Sequence, residues 1–304
     1  LVTIELSIYQ SIIFNADLYS GMALGIIQLI LMLFLSSLIL FNQNYDQSFL
    51  INKSSITRFP KNNLISVLFY LVVFYFFIPF LILIKGLSNF NTQLILSTGF
   101  LNSISNSMLI SILSVLLAVF TSLSALFVYR SFLEKNSKLH KSIFISITIL
   151  LFIPSLTLSS IIFYLNFNLD FIFTNFLIVS VINSFFITPI VFVFLSNKFI
   201  QNYLYESKQC LLLNISPFIR MIKIDMPKIK NELILIISAV FVLSLGDLTS
   251  VTIFNDSSFR TIPLFVSQLY NNYKYDDAFF ILSIFIIFLF FIMYFPSRFL
   301  NRNA

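Results

Sequence analysis

The chain has 304 residues, of which 59% are hydrophobic and only 10% are charged, with a mean hydropathy of +0.98 and a formal net charge of +6. Soluble domains carry about 25% charged residues, so this composition excludes a soluble domain of this length. The positive charge lies in loops between apolar runs, which indicates orientation in a membrane and argues against a nucleic-acid partner.

The chain contains one cysteine, Cys210, and one histidine, His140. A single cysteine excludes an internal disulfide framework and a cluster of thiolate ligands. Because the acidic residues are scattered along the sequence, we expect no metal site and no bound cofactor.

Seven apolar segments are long enough to cross a bilayer, which takes about 20 helical residues. Backbone groups in hydrocarbon must bond within their own segment, so each is predicted to be a helix. The sequence therefore predicts an all-α, polytopic membrane protein with seven transmembrane helices. The predicted spans are 22–41, 64–84, 104–129, 143–165, 171–195, 233–254 and 278–296.

The loops that follow the first, third, fifth and seventh spans carry nearly all of the lysines and arginines. Cytoplasmic loops are the ones enriched in these residues. We therefore expect a multi-pass protein of the bacterial inner membrane, with the N-terminus of this chain outside and its C-terminus in the cytoplasm.

Residues 3–10 resemble residues 261–268, because Thr, Ile, Leu and Gln recur at the same places. Each copy precedes a span that runs inward, and repeated halves are common in transporters. The repeat predicts three parts. Residues 1–45 are the end of an upstream permease half with its last transmembrane helix, 46–63 a cytoplasmic linker, and 64–304 a complete six-helix half.

The longest cytoplasmic loop, 196–232, has clear signals for helix ends. Asn214 tolerates the left-handed conformation that closes a helix. Ser216 is a favourable N-cap and Pro217 a favourable first-turn residue, so a short helix is predicted to start there. Pro227 then opens the next helix. The loop, with its core at 205–227, is thus expected to present two breaks and a short helix to the cytoplasm.

The short helix is expected to offer two faces. Phe218, Met221 and Ile222 form an apolar face, and Arg220 and Lys223 form a basic one. A basic amphipathic loop that lies on the membrane surface is an alternative interpretation of the same pattern.

The spacing in this loop resembles that of ABC-importer permeases, whose pattern is Glu-Ala-Ala, three residues, Gly, nine residues, Ile, any residue, Leu-Pro. Asn214 takes the Gly place, Ile224 the Ile place and Met226-Pro227 the Leu-Pro place. The Glu-Ala-Ala place departs from the pattern, since it holds residues 208–210, Lys-Gln-Cys. In that family the short helix docks on the ATPase subunit. The resemblance implies ATPase coupling through Asn214, Ser216, Pro217, Phe218, Arg220, Met221, Ile224, Asp225 and Pro227.

Further stretches resemble the same family. The helix from Asn106 to Arg130 resembles its first core helix, and the kink at Pro154 resembles its next one. The stretch 244–268 resembles thiamine and thiamine-pyrophosphate permeases, which fuse two six-helix halves, so this chain would match their C-terminal part. Iron(III) and molybdate permeases share the step from Gly to an acidic residue. On this basis the substrate pathway is expected to include Gly246, Asp247 and Asn106.

Asp247 is the only charged residue well inside a predicted span. A charge there costs about 2.5–3.5 kcal/mol on insertion scales, and such residues usually face a cavity or a partner. Either it lines the outer part of the pathway, where it could attract a cationic substrate, or the helix ends near Leu245 and leaves Asp247 as a solvated or capping residue at the interface.

None of the five glycines belongs to a phosphate-binding Gly-Lys-Ser/Thr motif, so the chain is not expected to be an enzyme or to hydrolyse ATP itself. The expected function is a permease subunit for thiamine or thiamine phosphates. Its partners would be a separate ATP-binding cassette ATPase, a periplasmic substrate-binding protein, the missing N-terminal permease half and membrane lipid. Alternatives are a permease for another ABC substrate such as iron(III), or an ion-coupled secondary transporter, which would need several buried charges.

Overall fold

The computed structural model describes residues 3–15, 17–42, 63–88, 90–134, 139–168, 174–254 and 259–301. Every regular element in these ranges is helical, which confirms the all-α, polytopic fold class. The predicted linker, residues 46–63, lies outside the described ranges except for its last residue.

The structure contains long apolar helices and several short helices between them. In chain order they are α1 (Ile4–Tyr9), α2 (Leu18–Asn42), α3 (Asn63–Gly86), α4 (Thr92–Ile95), α5 (Thr98–Glu134), α6 (Leu139–Ile149), α7 (Ser155–Asn168), α8 (Asn175–Leu212), α9 (Pro217–Arg220), α10 (Met226–Lys228), α11 (Lys230–Leu245), α12 (Thr249–Ile253), α13 (Ile262–Asn271) and α14 (Tyr275–Asn301). Two π-helical turns, Gln10–Phe14 and Met221–Asp225, extend α1 and α9, and a 3₁₀ turn, Leu150–Phe152, extends α6.

Within the described ranges, five spans are long and apolar enough to cross a membrane: α2, α5, α8, α11 with α12, and α14. They match five of the seven predicted spans. The predicted span 64–84 also forms a helix, the 24-residue α3.

The predicted span 143–165 is not one straight helix. Helices α6 and α7 meet at an angle of 89°, so they form either one broken span or a re-entrant loop. The break follows from Pro154, which has no N–H to donate and forces the residue before it out of the helical region. Ile153 is accordingly extended, with ψ of 121°.

Helices α5 and α8 form the centre of the bundle and run in the same direction. The hydroxyls of Thr121 in α5 and Thr188 in α8 lie 2.9 Å apart. Further toward the C-terminus of both helices, Arg130 of α5 lies beside Phe199 of α8. Fully buried side chains line this contact, among them Leu126, Phe192 and Leu195. The N-terminal end of α5 reaches the loop before α13, and its C-terminal end reaches α9.

The two similar stretches of sequence adopt similar structures. Thr3 is the N-cap of α1 and accepts a hydrogen bond from the amide of Leu6, and Thr261 is the N-cap of α13. Each short helix leads into a long one, α2 or α14, and packs against it. Each short helix buries apolar residues, such as Ile8 in α1 and Leu264 in α13.

Candidate functional site

The segment between α8 and α9 has the conformation that its sequence predicts. Helix α8 ends at Leu212, and Asn214 then takes a positive φ of 49°. Ser216 is extended, and the backbone carbonyl of Ser216 accepts a hydrogen bond from the amide of Arg220. Helix α9 begins at Pro217, so the first predicted break lies where the residues indicated.

The second predicted break is much weaker. Helix α9, the π-helical turn and α10 follow one another without interruption, and Pro227 lies within the first turn of α10. Only Ile229, with φ of −95° and ψ of 6°, separates α10 from α11. We call residues 217–228 the arm, because they form a single helical stretch.

Apolar side chains are exposed at the end of α8 and along the arm. Leu212 is 86% exposed and Phe218 64%. At about 1.5 Å per residue, the 38 residues of α8 span about 57 Å, whereas the hydrocarbon core is about 30 Å thick. The end of α8 therefore extends beyond a bilayer that its apolar part crosses. The exposed apolar set consists of Leu211, Leu212, Leu213, Phe218, Ile219 and Ile222.

The faces of the arm differ from the predicted ones. Arg220 and Met221, expected on the exposed basic and apolar faces, are buried, because the arm packs this side against the bundle. Asp225 is buried with them. Of the other residues expected to couple to an ATPase, Ile224 is half-buried, and the exposed ones are Asn214, Ser216, Pro217, Phe218 and Pro227.

Arg130, at the C-terminal end of α5, holds the buried side of the arm. Its guanidinium donates to the carboxylate of Asp225 through Nη1 and to the backbone carbonyl of Pro217 through Nη2, at 2.8 Å. The rings of Phe127 and Phe199 lie 5.5 and 5.6 Å from the guanidinium carbon. In the sequence, Arg130 is recognisable only as the end of a helix, and no local pattern predicts this contact.

Three further ion pairs surround this contact. Arg220 Nε lies 3.9 Å from Asp225 Oδ1, so the arm supplies a second cation to the same carboxylate. Glu206 of α8 pairs with Lys228 at the end of the arm. Lys198 Nζ lies 3.5 Å from Glu232 Oε1, a partly exposed pair that joins α8 to α11.

Asp247 lies immediately before α12, next to its N-cap Leu248, and its carboxylate contacts the first turn of that helix. Helix α11 ends at Leu245, and Asp247 Oδ1 accepts from the amide of Thr249 at 3.1 Å and from its hydroxyl at 2.8 Å. The hydroxyl of Ser250 donates to the other carboxylate oxygen. Helix α11 thus ends at Leu245, and Asp247 is hydrogen-bonded to the start of α12.

The same place is a meeting point of polar side chains from three spans. Asn183 of α8 donates to the hydroxyl of Ser244 at 3.4 Å, and its Oδ1 lies 2.8 Å from the hydroxyl oxygen of Ser250. The hydroxyl of Ser155, which begins α7, lies 2.5 Å from that of Thr249. The breaks in α6–α7 and in α11–α12 thus contact each other. We call Ser155, Asn183, Ser244, Asp247, Thr249 and Ser250 the polar cluster.

The other two residues expected on a pathway have different surroundings. Asn106 donates to the backbone carbonyl of Arg260 at 3.1 Å, which attaches α5 to the residues before α13. Gly246 is exposed with an ordinary negative φ, and an added Cβ would lie 3.5 Å from the nearest atom, Val242 O. No three His, Cys, Asp or Glu residues lie together as a metal site in the ranges described.

Comparison with known proteins gives one informative similarity. No family model matches the sequence. The chain is 31% identical over 284 residues to the thiamine transport system permease protein ThiP of Haemophilus influenzae, a match that covers 91% of this chain and 53% of that protein. The chain thus spans about half the length of this relative. The chain is therefore similar, over most of its length, to about half of a thiamine transport permease protein.

Proposed function

We propose that the chain is a transmembrane permease of an ATP-driven importer that carries thiamine or thiamine phosphates inward across a bacterial inner membrane. The observation that carries this proposal is the 31% identity with a thiamine transport permease protein over 91% of the chain. The long apolar helices supply the membrane-embedded part of such a protein.

The arm is the part that would contact a separate ATPase subunit. Its exposed residues Phe218, Ile219 and Ile222 are apolar, although they lie beyond the membrane-crossing part of α8. Apolar residues exposed together on a helical segment are typical of a surface that binds a groove in a partner. ATP-driven movement of the partner would then reach the bundle through the arm and alternate the access of the pathway.

This role assigns sides to the chain. The arm and the C-terminus face the cytoplasm, and the N-terminal residue of this chain faces outward, where a periplasmic substrate-binding protein would deliver the substrate. Residues 1–45, 46–63 and 64–304 keep the assignment made from the repeat: the end of one permease half, a linker and a six-helix half. The upstream permease half and membrane lipid complete the assembly.

The polar cluster is the proposed contact for the substrate within the membrane. Thiamine carries a permanent positive charge on its thiazolium ring, and Asp247 is a carboxylate at a point where two spans are broken. Transporters commonly bind substrates and ions at such discontinuous helices. Gly246, which precedes Asp247, and Asn106 of α5 remain proposed pathway residues. An iron(III) permease would use the same carboxylate for a different cation.

The proposal is tested by co-purification from native membranes. We expect an ATPase subunit to remain bound to the tagged wild-type chain and to be lost when residues 214–224 are deleted or when Phe218→Glu places a charge on the arm. Lys223→Gln, a change at an exposed polar residue of the same arm, is the matched control and should leave the ATPase bound.

Three outcomes would contradict the proposal. An ATPase that stays bound after the deletion would exclude the arm as its contact. If the arm instead binds anionic vesicles, salt weakens that binding, and no ATPase is bound, the result would favour the membrane-surface interpretation. Uptake driven by an ion gradient in liposomes that contain no ATPase would favour a secondary transporter.

A further inference from the structure

We propose that Arg130 is the positioning residue that fixes the arm to the central helix α5, so that force on the arm reaches the bundle through this guanidinium. The inference rests on the proposed coupling role of the arm. It concerns a residue outside the loop that the sequence pattern selects, since 95 positions separate Arg130 from Asp225.

One side chain, that of Arg130, holds both ends of the coupling segment. Pro217 is the first residue of the arm, and Asp225 lies in its last turns. Arg130 donates to the backbone of the first and to the carboxylate of the second. A planar guanidinium with two fixed donor directions sets orientation as well as distance, which a single ammonium would not do.

The contact between Arg130 and Asp225 is buried. Arg130 is 2% exposed and Asp225 1% exposed, and Phe127 and Phe199 lie beside the guanidinium. Salt and water do not screen such a pair as they screen a surface pair. A buried ion pair is weak evidence for stability, because well-packed apolar residues often serve equally well. Its specific geometry therefore favours a positioning role.

Two positive charges lie near the Asp225 carboxylate, and they come from different segments. Arg220 approaches the same carboxylate from within the arm, at 3.9 Å. Removal of the Arg130 charge thus leaves the Asp225 carboxylate with a cation of its own segment, while the link to α5 is lost. Arg130→Met is for this reason a cleaner variant than Asp225→Leu, which would leave two buried cations close together.

Hydrogen exchange of the backbone amides tests the contact directly. In the full chain, purified in its native membrane assembly, we expect Arg130→Met to speed exchange in residues 217–225 at least tenfold and to change α11 less than twofold. Arg130→Lys should recover part of the protection, because one ammonium replaces only one of the two contacts. Lys198→Met, which breaks a partly exposed pair outside the arm, should change exchange in 217–225 less than twofold.

Transport coupled to ATP hydrolysis tests the consequence. In reconstituted transporter, Arg130→Met should leave the ATPase bound and its hydrolysis within about threefold of wild type, while the amount of substrate moved per ATP falls at least tenfold. Arg130→Lys should restore part of this ratio, and Lys198→Met should leave it unchanged.

Two results would overturn the inference. Unchanged exchange in 217–225, or equal acceleration throughout the bundle, would show that Arg130 does not position the arm. A parallel fall of ATPase binding, hydrolysis and transport would show a structural role only. If the wild-type chain binds no ATPase at all, the proposed function fails, and the exchange measurement still decides whether Arg130 holds the arm.

Discussion

Asp247 is a carboxylate inside a membrane-crossing segment, and its surroundings explain how it is accommodated. The backbone amide and hydroxyl of Thr249 and the hydroxyl of Ser250 all donate to it. Hydrogen bonding of this kind offsets part of the cost of a charge in the membrane. The same residue therefore has a structural use, which a substitution must preserve if it is to test the proposed substrate contact.

Asp247→Asn separates the two uses. The amide oxygen can still accept from Thr249, so we expect normal accumulation of the protein, whereas the loss of the negative charge should reduce uptake of thiamine at least tenfold. Asp247→Ala should in addition weaken the start of α12 by about 0.5–2 kcal/mol, because its hydrogen bonds to Thr249 and Ser250 are lost. Uptake by membrane vesicles and thermal unfolding in detergent measure the two effects.

Asp17→Asn is the matched control for this prediction. Asp17 also accepts from a backbone amide at a helix start, that of Ser20 at 3.2 Å, but it lies before the first membrane-crossing helix. Its substitution should leave uptake unchanged. Unaltered uptake in Asp247→Asn as well would remove Asp247 from the pathway.

Two glycines give a paired prediction on packing. A Cβ on Gly86 would lie 2.6 Å from both Phe279 O and Ser283 Oγ, so Gly86→Ala must push α3 away from α14. Overpacking of this kind typically costs about 1–3 kcal/mol. Gly246→Ala places its Cβ at ordinary contact distance and should change the free energy of unfolding by less than about 0.5 kcal/mol. Equal melting temperatures of the two variants would contradict the close approach of α3 and α14.

At the scale of elements, the boundary between α8 and the arm depends on the backbone of Asn214. Its φ of 49° lies in the left-handed region, which glycine adopts without a penalty and a β-branched residue does not. We expect Asn214→Gly to be neutral and Asn214→Val to cost about 1–2 kcal/mol and to misdirect the arm. Retention of the ATPase on the tagged chain should fall only for the valine variant; retention by both would show that the angle of the arm is unimportant.

Element boundaries with a local chemical cause were predictable from the sequence, and others were not. Asn214, Ser216 and Pro217 carry their signals in their own side chains, so the end of α8 and the start of α9 could be read directly. Helices α1 and α13 are short, and only their packing against α2 and α14 makes them helical. The right-angled turn at Pro154 was recognised as a kink, but its size depends on the neighbours of α7.

At the scale of the whole molecule, hydropathy predicted the fold class because a membrane requires helices of a minimum length. In the part of the chain that the structure describes, five helices are long and apolar enough to cross, and the bent pair α6–α7 can supply another. The sequence predicted the coupling site only as a continuous stretch of one loop, without the residues from other helices that contact it. Arg130 lies far from that segment in sequence, and no local pattern indicates that the end of α5 reaches it. A lone acidic residue in the arm, Asp225, was the one available signal.

The proposed orientation is testable with the chain as a whole. Cys210 is the only cysteine and is buried, so thiol labelling has a low background. In intact cells, an impermeant maleimide should label Tyr273→Cys, which is exposed beside the start of α14, and should label Ser216→Cys only after the inner membrane is opened. The reverse pattern would invert the assigned sides.

The π-helical turn at Met221–Asp225 has a consequence for helical phase. Its closing bond runs from the amide of Met226 to the carbonyl of Met221, one residue wider than an α-helical bond. If this turn tightened to the α-helical form, each residue after it would rotate by about 100° around the axis. Asp225 is the last residue of this turn, so its direction relative to Arg130 depends on the turn as well. The wide turn thus contributes to the azimuth at which the arm meets α5.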